Sequence, residues 1–161
     1  MAITLGRLSL SRLEGVHPDL VRVVKRAAIM AEKRDDFSVL EGVRTREQCY
    51  TNWGKGRTAA QCKAASVPVD FAKPREAKVT WLANPLSSKH FPRGDGYSHA
   101  VDLAPFPLDW NDLARFDRIA VLMFAAAKAE GVAIRWGADW DRDGKPRERG
   151  ETDSPHFELD R

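Results

Sequence analysis

This sequence is poor in the features that usually fix a protein's setting. It holds two cysteines, Cys49 and Cys62, and they form no Cys-x-x-Cys pair. They supply neither a disulfide framework nor a thiolate metal cluster, and in a cytosol both stay reduced. No stretch approaches the ~18 consecutive apolar residues of a membrane span. Residues 1–12 lack the basic segment and apolar run of a secretory signal. A protein made in a cytosol is expected, held there until something else releases it. Internal repeats, low-complexity tracts and long linkers are also missing, so residues 1–161 read as one domain. Neither charge sign dominates. The formal net charge of +3 favours an anionic polymer of some kind without choosing among nucleic acid, cell wall and lipid surface. Zinc-finger spacing, a helix-turn-helix signature and a concentrated basic, aromatic surface are all lacking, which argues against a nucleic-acid binder.

What is present is an ordinary globular pattern. Pro18 and Asp19 open a helix on which Leu20, Val23, Val24, Ala27, Ala28 and Ala31 recur at helical spacing, to about Lys33. Phe37–Leu40 reads as a short strand ending at Gly42. Thr45 caps a helix from Arg46 to about Trp53. Residues 57–85 show little periodicity, with a brief strand expected at Val79–Leu82. Tyr97–Leu103 reads as a strand. Asn111 is placed to cap a long helix from Asp112 to Glu130 that is apolar nearly all round, the expected buried spine. Val132–Trp136 and His156–Leu159 are the last strands, separated by a charged loop. Helices and strands in this order predict an α+β fold.

Chemistry concentrates on the histidines, of which there are four: His17, His90, His99 and His156. A lone histidine is more often a satisfied structural residue than a ligand, and His17, at a helix start, fits that reading. The other three have company. His90 ends Ser88-Lys89-His90, His99 lies in Ser98-His99-Ala100-Val101-Asp102, and His156 ends Asp153-Ser154-Pro155-His156. Catalytic zinc takes three protein ligands from histidine and carboxylate and leaves a position for water. Two of these histidines with Asp102 would meet that need. The metal lowers the pKa of such a water toward about 7. A nearby carboxylate must then manage the proton, and Asp153 stands close to His156 in sequence.

These residues resemble the signature of a zinc peptidase family that includes bacterial D-alanyl-D-alanine carboxypeptidases and phage L-alanyl-D-glutamate endopeptidases. That signature is Ser-x-His, a spacer, Gly-x-Ala-x-Asp, and later Asp or Glu-x-x-His. Gly15–Val21 resembles the first helix of the phage members, Glu41–Gln48 their Gly-x-Arg-Thr-x-x-Gln segment, and Trp136–Trp140 with His156–Leu159 their closing strands. The resemblance implies a small antiparallel sheet with flanking helices, shared with the Hedgehog signalling domain. It implies zinc on His90, Asp102 and His156, Asp153 as general base and then acid, and Arg44 as an oxyanion or substrate-carboxylate clamp. It also implies substrate contact from Gln48. The substrate would be bacterial peptidoglycan and the most fitting bond L-alanyl-D-glutamate, cut by a monomeric phage endolysin with no separate wall-binding domain.

The chain departs from the pattern in places. The spacer from His90 to Asp102 is lengthened by Phe91–Tyr97, and Ser98 replaces a glycine. His99 therefore stands as a rival ligand, although residues three apart on a strand point to opposite faces. Arg44 has the alternative of a surface ion pair. Asp139-Trp140-Asp141-Arg142-Asp143-Gly144 resembles the start of a calcium loop. Gly150 occupies the position where an EF-hand needs an acid, and the interspersed basic residues favour a solvated charged loop. Those basic residues could make weak contact with anionic envelope polymers. A D,D- or L,D-carboxypeptidase and a non-catalytic zinc-containing wall-binding module are the rival functions.

Overall fold

Alternation along four short strands decides which way the sheet faces. In the computed structural model, which describes residues 2–161, these are β1 (Phe37–Glu41), β2 (Ala100–Pro105), β3 (Ile134–Trp136) and β4 (His156–Leu159). They pair antiparallel in the order β1-β2-β4-β3. Phe37, Val39, Val101, Leu103, Ile134, Trp136, Phe157 and Leu159 all enter the main core. The residues between them, Asp102, Arg135, His156 and Glu158, belong to the opposite face. That division puts the chemistry on one side of the sheet and the packing on the other.

Two helices cover the apolar face. Helix α2 (Pro18–Met30) buries Leu20, Val23, Val24, Ala27 and Ala28. Helix α5 (Leu113–Glu130) buries Phe116, Ile119, Ala120, Met123, Ala126 and Ala127, and ends on Gly131 in the left-handed conformation. Each fully buried Leu, Val or Ile contributes on the order of 1.5–3 kcal/mol. The α5 helix is less enclosed than its composition suggests. Val121 is 70% exposed, and Leu113 and Phe124 also face outward, because the sheet and α2 cover only one side. Its cap is Asp112, which accepts from the Arg115 N–H, rather than Asn111.

The amino-terminal half adds helix α1 (Arg7–Arg12), a single short helix absent from the sequence reading. Helix α3 (Arg46–Gly54) starts at Thr45 in a reciprocal box with Gln48. The stretch read as irregular contains helix α4 (Ala59–Ala64), capped the same way by Thr58 and Gln61. Trp53, Cys62 and Val67 form a second small core beneath it. Val79–Leu82 forms no strand: no neighbouring strand edge takes it up, and Val79 and Trp81 are exposed. Cys49 and Cys62 are buried free thiols. No helix among the described residues is long and apolar enough to cross a membrane.

Candidate functional site

The antiparallel register of β2 and β4 sets Asp102 directly opposite His156. On the polar face of the sheet this brings Asp102 Oδ1 to 3.3 Å from His156 Nδ1. The third member arrives from the loop before β2. His90 Nε2 lies 3.2 Å from Asp102 Oδ1 and 3.2 Å from His156 Nδ1. The lengthened spacer does not separate His90 from Asp102, because it leaves and returns at one place. The His99 N–H donates to Lys89 O at 2.8 Å, and the excursion between is closed by Arg93 N–H to Tyr97 O at 2.9 Å. The strand exit after β1 fixes His90 from the other side. His90 Nδ1–H donates to Gly42 O at 2.7 Å, and Arg44 N–H donates to His90 O at 2.9 Å. Only glycine fits at position 42, since a Cβ there would sit 2.1 Å from Arg12 O.

The three groups are enclosed. His90 is 3% and His156 8% exposed, with Asp102 between them at the floor. Burial alone would raise the Asp102 carboxyl, but hydrogen bonds from His156 and His90 outweigh it and hold the group far below the usual carboxylate range. Burial would likewise lower His156. Its hydrogen bonds to Asp102 and Glu158 win instead, and its pKa is pushed up to about 10. The pocket floor therefore favours positive charge. Two imidazole nitrogens and a carboxylate oxygen lying within 4.8 Å of one another could be drawn onto one cation, and this donor set suits zinc.

Asp153 lies at the rim, where β4 begins. Its Oδ2 is 3.8 Å from His156 Nδ1, and its side chain remains 55% exposed. Desolvation raises its pKa against the pull of His156, with repulsion from Asp102 adding to the rise. Arg44 leans toward the same site and is not a loose surface cation. Glu41 holds it from one side, and its Nη1 donates to Ser88 Oγ at 3.4 Å. Gln48 spends its Oε1 on the Thr45 N–H in the helix cap, which leaves its amide N–H groups free of that bond.

His99 goes elsewhere. Its Nε2 meets Asp95 Oδ2 at 2.7 Å, and its ring packs edge-on against His17 at 5.3 Å. His17 Nδ1 accepts from the Asp19 N–H at 3.0 Å and caps α2, as its place at the helix start suggested. In the charged loop the oxygens of Asp139, Asp141 and Asp143 also gather within 4.8 Å of one another. Two of the loop's basic residues are tied to acids outside it, Arg147 to Asp117 at 2.6 Å and Arg142 to Asp160 at 2.5 Å.

Four residues of the site were not singled out from the sequence: Glu41, Gly42, Ser88 and Glu158. Ser88 accepts from both Arg44 and the His90 N–H, which accounts for the serine of its Ser-x-His motif. Glu158 was legible through strand alternation, two residues beyond His156 on the same face. Glu41 depends on a bulge, since the β1–β2 register slips between Val39 and Glu41. No local pattern announces that slip.

Comparison with known proteins gives the family of the chain. The chain is 30% identical over 165 residues to the L-alanyl-D-glutamate peptidase of Escherichia phage T5, covering 99% of both chains. It superimposes on the crystal structure of the L-Ala D-Glu endopeptidase ChiX of Serratia marcescens with a TM-score of 0.59 and 27% identity. That match covers 94% of this chain and 85% of the other. The model of the phage L-alanyl-D-glutamate peptidase family matches residues 1–160, and the chain belongs to that family.

Proposed function

We propose that this protein is a zinc-dependent L-alanyl-D-glutamate peptidase that opens the stem peptides of bacterial peptidoglycan as a phage endolysin. The observation that carries the reading is the convergence of His90, Asp102 and His156 in a buried, cation-favouring floor with Asp153 at its rim. Zinc held by these three residues would supply a Lewis acid for the scissile carbonyl and a water acidic enough to attack at neutral pH.

The remaining chemistry falls to the chain itself. Asp153, partly open to solvent and raised in pKa, takes the proton of the attacking water and returns it to the leaving amine as the C–N bond breaks. Its carboxylate reaches to 3.8 Å of His156, which puts it beside the group it would serve. Arg44 offers the donors not used by Glu41 to the developing oxyanion or to the substrate's carboxylate. The free amide N–H groups of Gln48 add a substrate contact at the start of α3. The protein acts as a monomer and waits in the host cytoplasm until a membrane lesion admits it to the wall. The charged loop adds at most a weak attraction to anionic envelope polymers.

Mass spectrometry of digested peptidoglycan tests the reading, comparing wild type, chelator-treated protein, protein restored with zinc, and Asp153→Ala. Fragments that end in L-alanine, with matching fragments that begin with D-glutamate, are expected from wild type and zinc-restored protein alone. Release of D-alanine only would favour a carboxypeptidase. Undiminished cutting by Asp153→Ala would sink the mechanism.

A further inference from the structure

Strand β4 carries a second buried carboxylate for which the reaction above has no use. Glu158 is 7% exposed, and an ionised carboxylate so placed is costly unless it is hydrogen-bonded. Its partner is His156, whose Nε2–H donates to Glu158 Oε1 at 2.9 Å. The contact follows from the strand: residues two apart share a face, and the register sets the small Ala100 opposite Glu158. On the other side β3 sets Arg135 opposite Glu158. This guanidinium does not take the carboxylate. It donates to Trp140 O at 3.3 Å and lies 5.1 Å from the centre of the Trp140 ring, with its own Nε buried and unpartnered. Glu158 thus stays with the imidazole although a cation stands beside it.

The consequence falls on the far side of the ring. With Nε2–H committed to Glu158, the nitrogen turned toward Asp102 and His90 is Nδ1, at 3.3 and 3.2 Å. His90 is built the opposite way, with Nδ1–H on Gly42 O and Nε2 turned inward. We propose that Glu158 is a positioning residue of the zinc centre: it fixes the orientation and Nε2–H tautomer of His156 so that the Nδ1 lone pair meets the metal. An anionic acceptor also makes the imidazole a more basic ligand than the neutral carbonyl behind His90 does. The inference rests on the zinc reading above.

Zinc affinity, measured by competition with a chromophoric chelator, tests it on wild type, Glu158→Ala and Glu158→Gln. Melting of each metal-free protein runs alongside. Glu158→Ala is expected to bind zinc about 10–100-fold more weakly. Glu158→Gln recovers part of that loss, because its amide oxygen still accepts from Nε2–H. If the alanine variant fails to fold, the glutamine variant decides, together with the imidazole N–H resonance of zinc-loaded wild type, expected on Nε2 of His156. Wild-type zinc affinity in both variants would overturn the proposal, as would a proton on Nδ1. A glutamine variant as weak as the alanine one would also overturn it, marking Glu158 as a charge rather than an acceptor. Failure of wild type itself to hold zinc would instead bring down the zinc reading, and this role with it.

Discussion

Glu41 grips Arg44 through two parallel hydrogen bonds, Arg44 Nε to Glu41 Oε1 at 2.8 Å and Nη2 to Oε2 at 3.0 Å. The ion pair expected as the alternative for Arg44 is present, and it does not use every donor of the guanidinium. One edge of the guanidinium is anchored, and Nη1 is left beside Ser88 at the site. Lysine cannot reproduce this, since a single ammonium has no second edge. We expect Arg44→Ala to lower kcat by about 10²–10³-fold, the scale for loss of one oxyanion donor. Arg44→Lys should restore little of it. Rates on a soluble stem peptide, at matched zinc content, check this; full activity in the lysine variant would show that the fork is unnecessary.

The separation of His90 from His99 gives a cleaner comparison. His90→Ala removes one of the three converging donors and should leave the protein unable to retain zinc through dialysis. His99→Ala breaks the contact with Asp95 and the packing against the His17 ring, and touches none of the three converging donors. Its zinc content and cutting rate should stay at wild-type values. Metal analysis of the two variants reads this directly, and zinc lost from His99→Ala with zinc kept by His90→Ala would reverse the ligand assignment.

Protonation of the centre predicts how the metal-free protein responds to pH. His156 has its pKa raised from 6.5 to about 10, so the folded protein holds a proton that the unfolded chain releases. That stabilisation is fully present below 6.5 and is lost as pH rises through about 10. The depressed Asp102 carboxyl acts at the acid end. Its contribution is present above 3.8 and lost as pH falls below. With chelator present, melting temperature should therefore decline from pH 6.5 toward 10. With zinc in place of the His156 proton, the decline should flatten. Chelator-treated protein with a level alkaline profile would contradict the charge assigned to His156.

The parts legible in the sequence are those whose cause is local. The caps of α3, the spacing of α2, and the strands around Asp102 and His156 follow from neighbouring residues, and an α+β architecture follows from their order. The helix α4 was equally local, with Thr58 and Gln61 forming the same box as Thr45 and Gln48, yet its six residues are too few to show a helical period. Val79–Leu82 shows the converse: a β-like composition needs a partner edge, and none lies beside it. At the site, Asp102 with His156 could be anticipated from strand alternation. The return of a long loop to Lys89, which brings His90 back, depends on backbone hydrogen bonds that no spacing encodes.

Gly137 joins the two ends of the turn from Asp153 to His156 and should be sensitive to a single methyl group. Its N–H donates to His156 O at 2.8 Å, and its carbonyl accepts from the Asp153 N–H at 3.1 Å. A Cβ added there would meet Asp153 O at 2.4 Å, Asp153 Cβ at 2.8 Å and His156 Cβ at 3.0 Å. The nearest obstacle is backbone, so the segment itself must move. Overpacking of this kind costs about 1–3 kcal/mol, which a core as continuous as the one under β2 and β4 should survive. Activity has less margin, because a shift of about 1 Å at a reacting group can cost 10²-fold. We therefore expect Gly137→Ala to fold, to melt a few degrees lower, and to lose far more kcat than stability. Gly131→Ala provides the contrast: its φ of +68° strains alanine, yet no heavy atom lies within 4 Å of the added Cβ. That variant should lose stability while keeping its rate per folded molecule. If both variants lose activity only in proportion to their unfolding, Gly137 is a packing residue and the turn it joins has no special bearing on Asp153.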